Sequence, residues 1–113
     1  MVLAAGTLGT SAGVIYQNEG NNLVYVGTIL FHNTTPQEVN FTLHYVPNDN
    51  GNIGTANSNN EIDSFQLSPR GEAGSTYEFS PKIPYDFDSG NDTFQALSSN
   101  SDAINYNVLG YAT

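Results

Sequence analysis

The segment from Leu23 to Val46 constrains this chain more than any other. An almost unbroken apolar, β-branched run reaches Asn33-Thr34-Thr35-Pro36 and then returns as a strict alternation. On the return arm Val39, Phe41, Leu43 and Tyr45 fall on one side, and Asn40, Thr42 and His44 on the other. That is the period of two of a half-buried antiparallel strand. The outgoing arm differs, with Val24, Val26 and Leu30 on one side and Leu23, Tyr25, Ile29 and Phe31 on the other. Both of its faces are largely apolar, as in a strand that is central in its sheet or touches a partner. Together the two arms and their turn predict a β-hairpin.

The rest of the chain is punctuated by turn signals at intervals that suit short strands, and no apolar stripe repeats at helical spacing. Strand-like segments begin around Leu3, Val14, Leu23, Val39, Ile62, Thr76, Thr93 and Ile104. The pattern predicts an all-β fold, an antiparallel two-sheet β-sandwich of about eight strands, jelly-roll or immunoglobulin-like, in a single domain over residues 1–113. The last strand alternates Ile104, Tyr106 and Val108 with Asn105, Asn107 and Leu109, and is expected to cross the middle of a sheet. Pro81 and Pro84 bracket Lys82-Ile83 and place that segment at an edge or in a bend, since proline cannot donate to a ladder. A longer loop runs from Pro47 to Asn60, rich in Asn and Gly, with Ile53 as its large apolar residue. Its Asn50-Gly51 step favours a left-handed turn. Its tip is a cheap place to add a contact with a neighbour.

Eleven carboxylates stand against two cations, Arg70 and Lys82, for a net charge of -9. No basic patch is left to neutralise phosphates, so no nucleic-acid partner is expected. Attraction to anionic lipid is disfavoured for the same reason, and no apolar run approaches the roughly 20 residues of a spanning helix, so no membrane partner is expected either. With no cysteine, disulfides, thiol catalysis and zinc–thiolate sites are excluded. The first residues, Met1 to Gly6, lack the charged and apolar regions of a secretory signal, and the chain reads as a complete, soluble product made in a cytoplasm.

Candidate chemical groups are few. Asp86, Asp88, Ser89, Gly90, Asn91 and Asp92 form an acidic turn, but Gly90 is fifth and Leu97 twelfth from Asp86, which does not fit a calcium-binding EF-hand loop. A turn with carboxylates capping its amides is the plainer reading. His32 and His44, on the two arms of the expected hairpin, lie too far apart to share an ion and read as surface or turn residues. Glu61 and Asp63 are two apart in an extended stretch and read as a solubilising rim. Ser64, Ser68 and Ser75 sit in no nucleophile elbow. Sequons at Asn33, Asn40 and Asn91 are expected by chance in so Asn- and Thr-rich a chain. Arg70, at a turn tip in Ser68-Pro69-Arg70-Gly71-Glu72, either pairs with Glu72 or reaches a neighbouring chain.

The order of segments resembles a family of small β-sandwich proteins among the virion structural proteins of tailed phages. Gly6-Thr7-Leu8-Gly9-Thr10-Ser11-Ala12 with Ile15-Tyr16 resembles the family's opening, and Val26-Gly27-Thr28-Ile29-Leu30-Phe31-His32-Asn33-Thr34-Thr35 its next strand and turn. Val39-Asn40-Phe41-Thr42-Leu43 resembles the return strand, and Gly90-Asn91-Asp92-Thr93-Phe94-Gln95-Ala96 a later step. The inserted Asn91 and the longer loop after Pro47 depart from the pattern. The family has no catalytic residues to carry over. The resemblance implies a non-enzymatic virion component without cofactor or metal, on the outer capsid surface, as a capsid decoration (cement) protein bound to the major capsid protein and to itself as a homotrimer or homodimer. A fibre or tail accessory domain that binds a receptor or glycan is the alternative. Candidate partner contacts are Val24, Leu30, Leu109 and Tyr111 on an outer face, Asn50 and Ile53 in the long loop, and Arg70.

Overall fold

In the computed structural model, which describes residues 1–88 and 90–113, the described residues form nine strands and no helix. They are β1 (Val2–Thr7), β2 (Gly13–Gln17), β3 (Val24–Asn33), β4 (Val39–Val46), β5 (Glu61–Leu67), β6 (Thr76–Phe79), β7 (Tyr85–Phe87), β8 (Thr93–Ser98) and β9 (Ile104–Ala112). All pair antiparallel in two packed sheets. One sheet has the order β1-β9-β3-β6, with β7 also paired to β3, and the other has the order β2-β8-β4-β5. That is the strand order of a jelly roll, with β6 and β7 filling one place between them. The added strand relative to the sequence reading is β7, three residues long and placed directly after Pro84.

The expected hairpin is not there. β3 belongs to one sheet and β4 to the other, so the Asn33 to Pro36 turn carries the chain across the sandwich instead of back alongside itself. Two strands this apolar bury more surface facing each other through the core than lying side by side, and the Phe31 and Phe41 rings stack with centroids 4.3 Å apart. The crossover is fixed by Asn33, fully buried. Its Nδ2 donates to the Gln37 and Ser68 carbonyls at 2.6 and 3.0 Å, and its Oδ1 accepts from the Thr35 N–H and hydroxyl at 3.0 and 2.8 Å.

The two apolar faces of β3 have a local cause. The β3–β9 register shifts between Val26 and Thr28, so an extra residue on β3 reverses which side chains point inward. Val24 and Val26 face the core before this bulge, and Ile29 and Phe31 after it. Strand β3 is central as expected, flanked by β9 on one side and by β6 and β7 on the other, and β9 lies between β1 and β3. Residues 82 and 83 bend away between β6 and β7, which pair with successive stretches of β3, so the prolines interrupt a sheet edge.

Aromatic residues close the interior. Tyr45, Tyr85, Phe87 and Phe94 meet mostly edge-on or tilted at 5.0 to 5.7 Å. At the β5/β6 side Phe65 stacks on Tyr77 at 4.1 Å, and the Tyr77 hydroxyl donates to Asp63 across the gap between sheets at 2.5 Å.

Candidate functional site

The outer face of the β1-β9-β3 strands carries no Asp, Glu, Lys or Arg. On β9 the outward residues are Asn105, Asn107, Leu109 and Tyr111, and beyond the bulge β3 presents Thr28, Leu30 and His32. The register sets Val2 beside Leu109, Leu109 beside Thr28, and Leu30 beside Asn107, so Leu30 and Leu109 are diagonal neighbours. Tyr25 and Tyr111 pair directly and stack at 5.1 Å, with Tyr111 55% exposed. Carboxylates rim this face along β6 and β7, where Glu78 pairs with Leu30 and Asp86 with Tyr25. The result is an uncharged, partly apolar sheet surface on an acidic molecule, a form suited to adhesion.

Of the expected contacts, Leu30, Leu109 and Tyr111 share this face. Val24 does not: on the core side of the bulge it is 6% exposed and packs inside, so it cannot meet a partner. Asn50 and Ile53 lie in the long loop over the opposite sheet. Arg70 is exposed at the β5–β6 turn, where its backbone N–H donates to Thr35 at 2.8 Å and ties that turn to the crossover. Apart from Val24 in the core, the candidate contacts occupy three separate regions.

The Pro47 to Asn60 loop is tied down along its length. Asn50 and Gly51 both take positive φ, 51° and 85°, and Asp49 and Asn52 exchange backbone hydrogen bonds around them, the left-handed turn that the Asn-Gly step predicts. The Asp92 carboxylate accepts from the Asn48 N–H at 2.7 Å and the Asn48 side-chain amide at 2.8 Å. These bonds, led by the one from the Asn48 backbone, hold its carboxyl below the usual aspartate value. Asn91 donates to the Gly51 carbonyl and accepts from Gln17. Farther along, Gln95 donates to the Gly54 carbonyl at 3.0 Å, and Asn60 meets the His44 ring at 2.9 Å. His44 is thus buried beneath the loop and is not the surface residue expected. His32, bonded to Thr76 at 2.8 Å, stands on the outer face of the other sheet.

Between this loop and the β2–β3 turn lies an open groove of about 610 Å³, lined by side chains such as Gln17, Asn18, Glu19, Asn21, Asn48 and Asn91. It is polar and has no aromatic floor. Asn18 is spent on structure, donating to the Asn22 and Phe87 carbonyls at 2.8 Å and accepting from Gly20 at 3.0 Å.

The acidic turn includes Ser89, which lies outside the described residues, but the roles of Asn91 and Asp92 are those of loop clamps. Among the described residues no group of three or more His, Asp or Glu side chains is placed to hold a metal ion. Asp63 of the expected rim is bonded to Tyr77, whereas Glu61 is exposed. Of the sequon asparagines, Asn33 is enclosed and inaccessible to a glycan. Sequence patterning missed Asn33, Asn18 and Gln95 as structural residues, since a buried amide leaves no periodic signature. No protein-family model matches the chain, and no curated protein matches it.

Proposed function

We propose that this chain is a non-enzymatic virion structural protein, a decoration or cement protein that binds the outside of an assembled phage capsid and holds neighbouring capsomers together. The observation that carries this reading is the uncharged face built by Leu30, Leu109, Tyr25 and Tyr111 on a molecule of net charge -9. Burying it against another surface is worth about 25 cal/mol per Å² of apolar area. Repetition over equivalent lattice sites multiplies a modest single contact. The sequence resemblance supports the virion setting, and the jelly-roll order is shared with viral capsid domains, which is a fold-level analogy.

The test is to mix purified protein with undecorated shells and measure co-sedimentation and shell rupture temperature. Saturable binding with a raised rupture temperature is expected, and Leu30→Asp or Tyr111→Asp should abolish both. Shells that neither bind the chain nor gain stability would refute the reading. A fibre or tail accessory role in glycan attachment is the second reading, favoured by the amide-lined groove at Gln17, Asn48 and Asn91. A glycan array separates the two, because a cement protein is silent on it.

A further inference from the structure

We infer that strand β1 is a self-association edge, on which a second copy of this chain pairs antiparallel about a two-fold axis to make one sheet continuous across both molecules. Sheet edges are usually blunted by charge, proline, bulges or shortness. Three of the four edges here are treated in that way. Strand β5 carries Glu61 and Asp63, and β6 and β7 carry Glu78 and Asp86, are four and three residues long, and are separated by Pro81 and Pro84. Strand β2 is bulged between Val14 and Tyr16. Strand β1, Val-Leu-Ala-Ala-Gly-Thr, has neither charge nor proline, and its one irregularity lies at its start, between Val2 and Ala4.

Its free side is ready for a partner. Leu8 donates to Ile104 at 2.9 Å, and antiparallel ladders alternate, so Gly6 and Ala4 turn their backbone groups to β9. Ala5 and Thr7 therefore direct N–H and C=O outward, and both residues are exposed. Charge selects the occupant. Residues 1–18 contain no Asp, Glu, Lys or Arg; Glu19 lines a cleft with Leu3 and Ala4, whereas the stretch from Ala5 to Thr7 lines one with Asn105, Tyr106 and Asn107 and no carboxylate. A basic partner would be drawn to the chain's carboxylates, whereas two copies of net charge -9 can approach closely only where each is uncharged. A two-fold pairing, with Ala5 and Thr7 of each copy exchanging N–H···O bonds, satisfies both the backbone and the charge. It also joins the two Val2–Leu109–Leu30 faces into one surface. The pairing does not depend on the virion reading.

Sedimentation equilibrium of the full chain tests this. The wild type should run at twice the 12.1 kDa chain mass. Ala5→Pro, which removes an outward N–H and no bond to β9, and Thr7→Lys, which sets like charges across the axis and leaves the backbone unchanged, should each run at the monomer mass with an unchanged β-sheet spectrum. Mixing Thr7→Lys with Thr7→Asp should restore the dimer mass. A wild type that stays monomeric up to millimolar concentration would overturn the inference, as would a dimer that persists in Thr7→Lys or one lost on Leu30→Asp but not on Thr7→Lys. A monomer that still binds shells would overturn it and leave the proposed function standing.

Discussion

Asn33 occupies a position that hydrophobic patterning would reserve for an apolar side chain, and it earns that position through four hydrogen bonds, three within the crossover and one to Ser68. Truncation to alanine takes the partner from the Ser68 carbonyl and the Thr35 N–H, while the Gln37 carbonyl keeps the Thr35 hydroxyl, and a buried polar group left without a partner costs about 1–3 kcal/mol. Asn33→Ala should therefore lower stability by about 2–4 kcal/mol in urea unfolding, and Asn33→Asp, which lacks the donors, should not rescue it. Gly110 is the steric counterpart. A Cβ there would collide with the Tyr25 carbonyl and meet Leu3 Cδ1 at 2.9 Å beside the β3 bulge. Because the obstacle is backbone, Gly110→Ala should cost about 3 kcal/mol or more, read as a lowered unfolding midpoint. Neither residue was legible beforehand, since nothing in its neighbours' spacing marks a buried amide or a close backbone approach.

Elements were read more faithfully than their partners. The alternation of β4 and β9 and the interrupted edge at Pro81 and Pro84 follow from period and proline chemistry, which act locally. The β3–β4 pairing did not, because local pattern states which face is apolar and not which strand lies beside it. The bulge in β3 then explains why its apolar residues change sides. Two electrostatic tests belong at this scale. Asp92, held low by the Asn48 bonds, stabilises the loop fully above about pH 3.9, the unfolded aspartate value, and loses that contribution as pH falls through its lower folded value. Carboxyl NMR should show Asp92 titrating below the unfolded aspartate value, and Asp92→Ala should open the Asn48 amide to exchange. Tyr77 is pushed up to about 12, first by its hydrogen bond to Asp63, then by burial. Tyr45 reaches about 12, mainly through burial. Their raised folded values contribute stability that is complete below about pH 10 and lost as pH rises through 12. Absorbance titration should show Tyr45 and Tyr77 among the late phenols, with Tyr16 and Tyr106 also shifted upward by burial, and Asp63→Asn should return Tyr77 toward the ordinary value.

At the scale of the whole molecule, the two-sheet fold was legible from composition and period, whereas the contact surface was not. Period alone puts Leu30, Leu109 and Tyr111 on a face, but it groups Val24 with them because nothing in the alternation marks the bulge between Val26 and Thr28. The molecule that results is an acidic jelly roll with one uncharged sheet face, and adhesion through that face, without turnover of any substrate, is the central functional claim. The most direct measurement is a density map of undecorated capsids incubated with the purified chain. Ordered density is expected at symmetry-repeated outer positions, with the Leu30, Leu109 and Tyr111 face against the shell. Capsids with no added density, or with the chain seated by its Pro47 to Asn60 loop and that face turned to solvent, would contradict it.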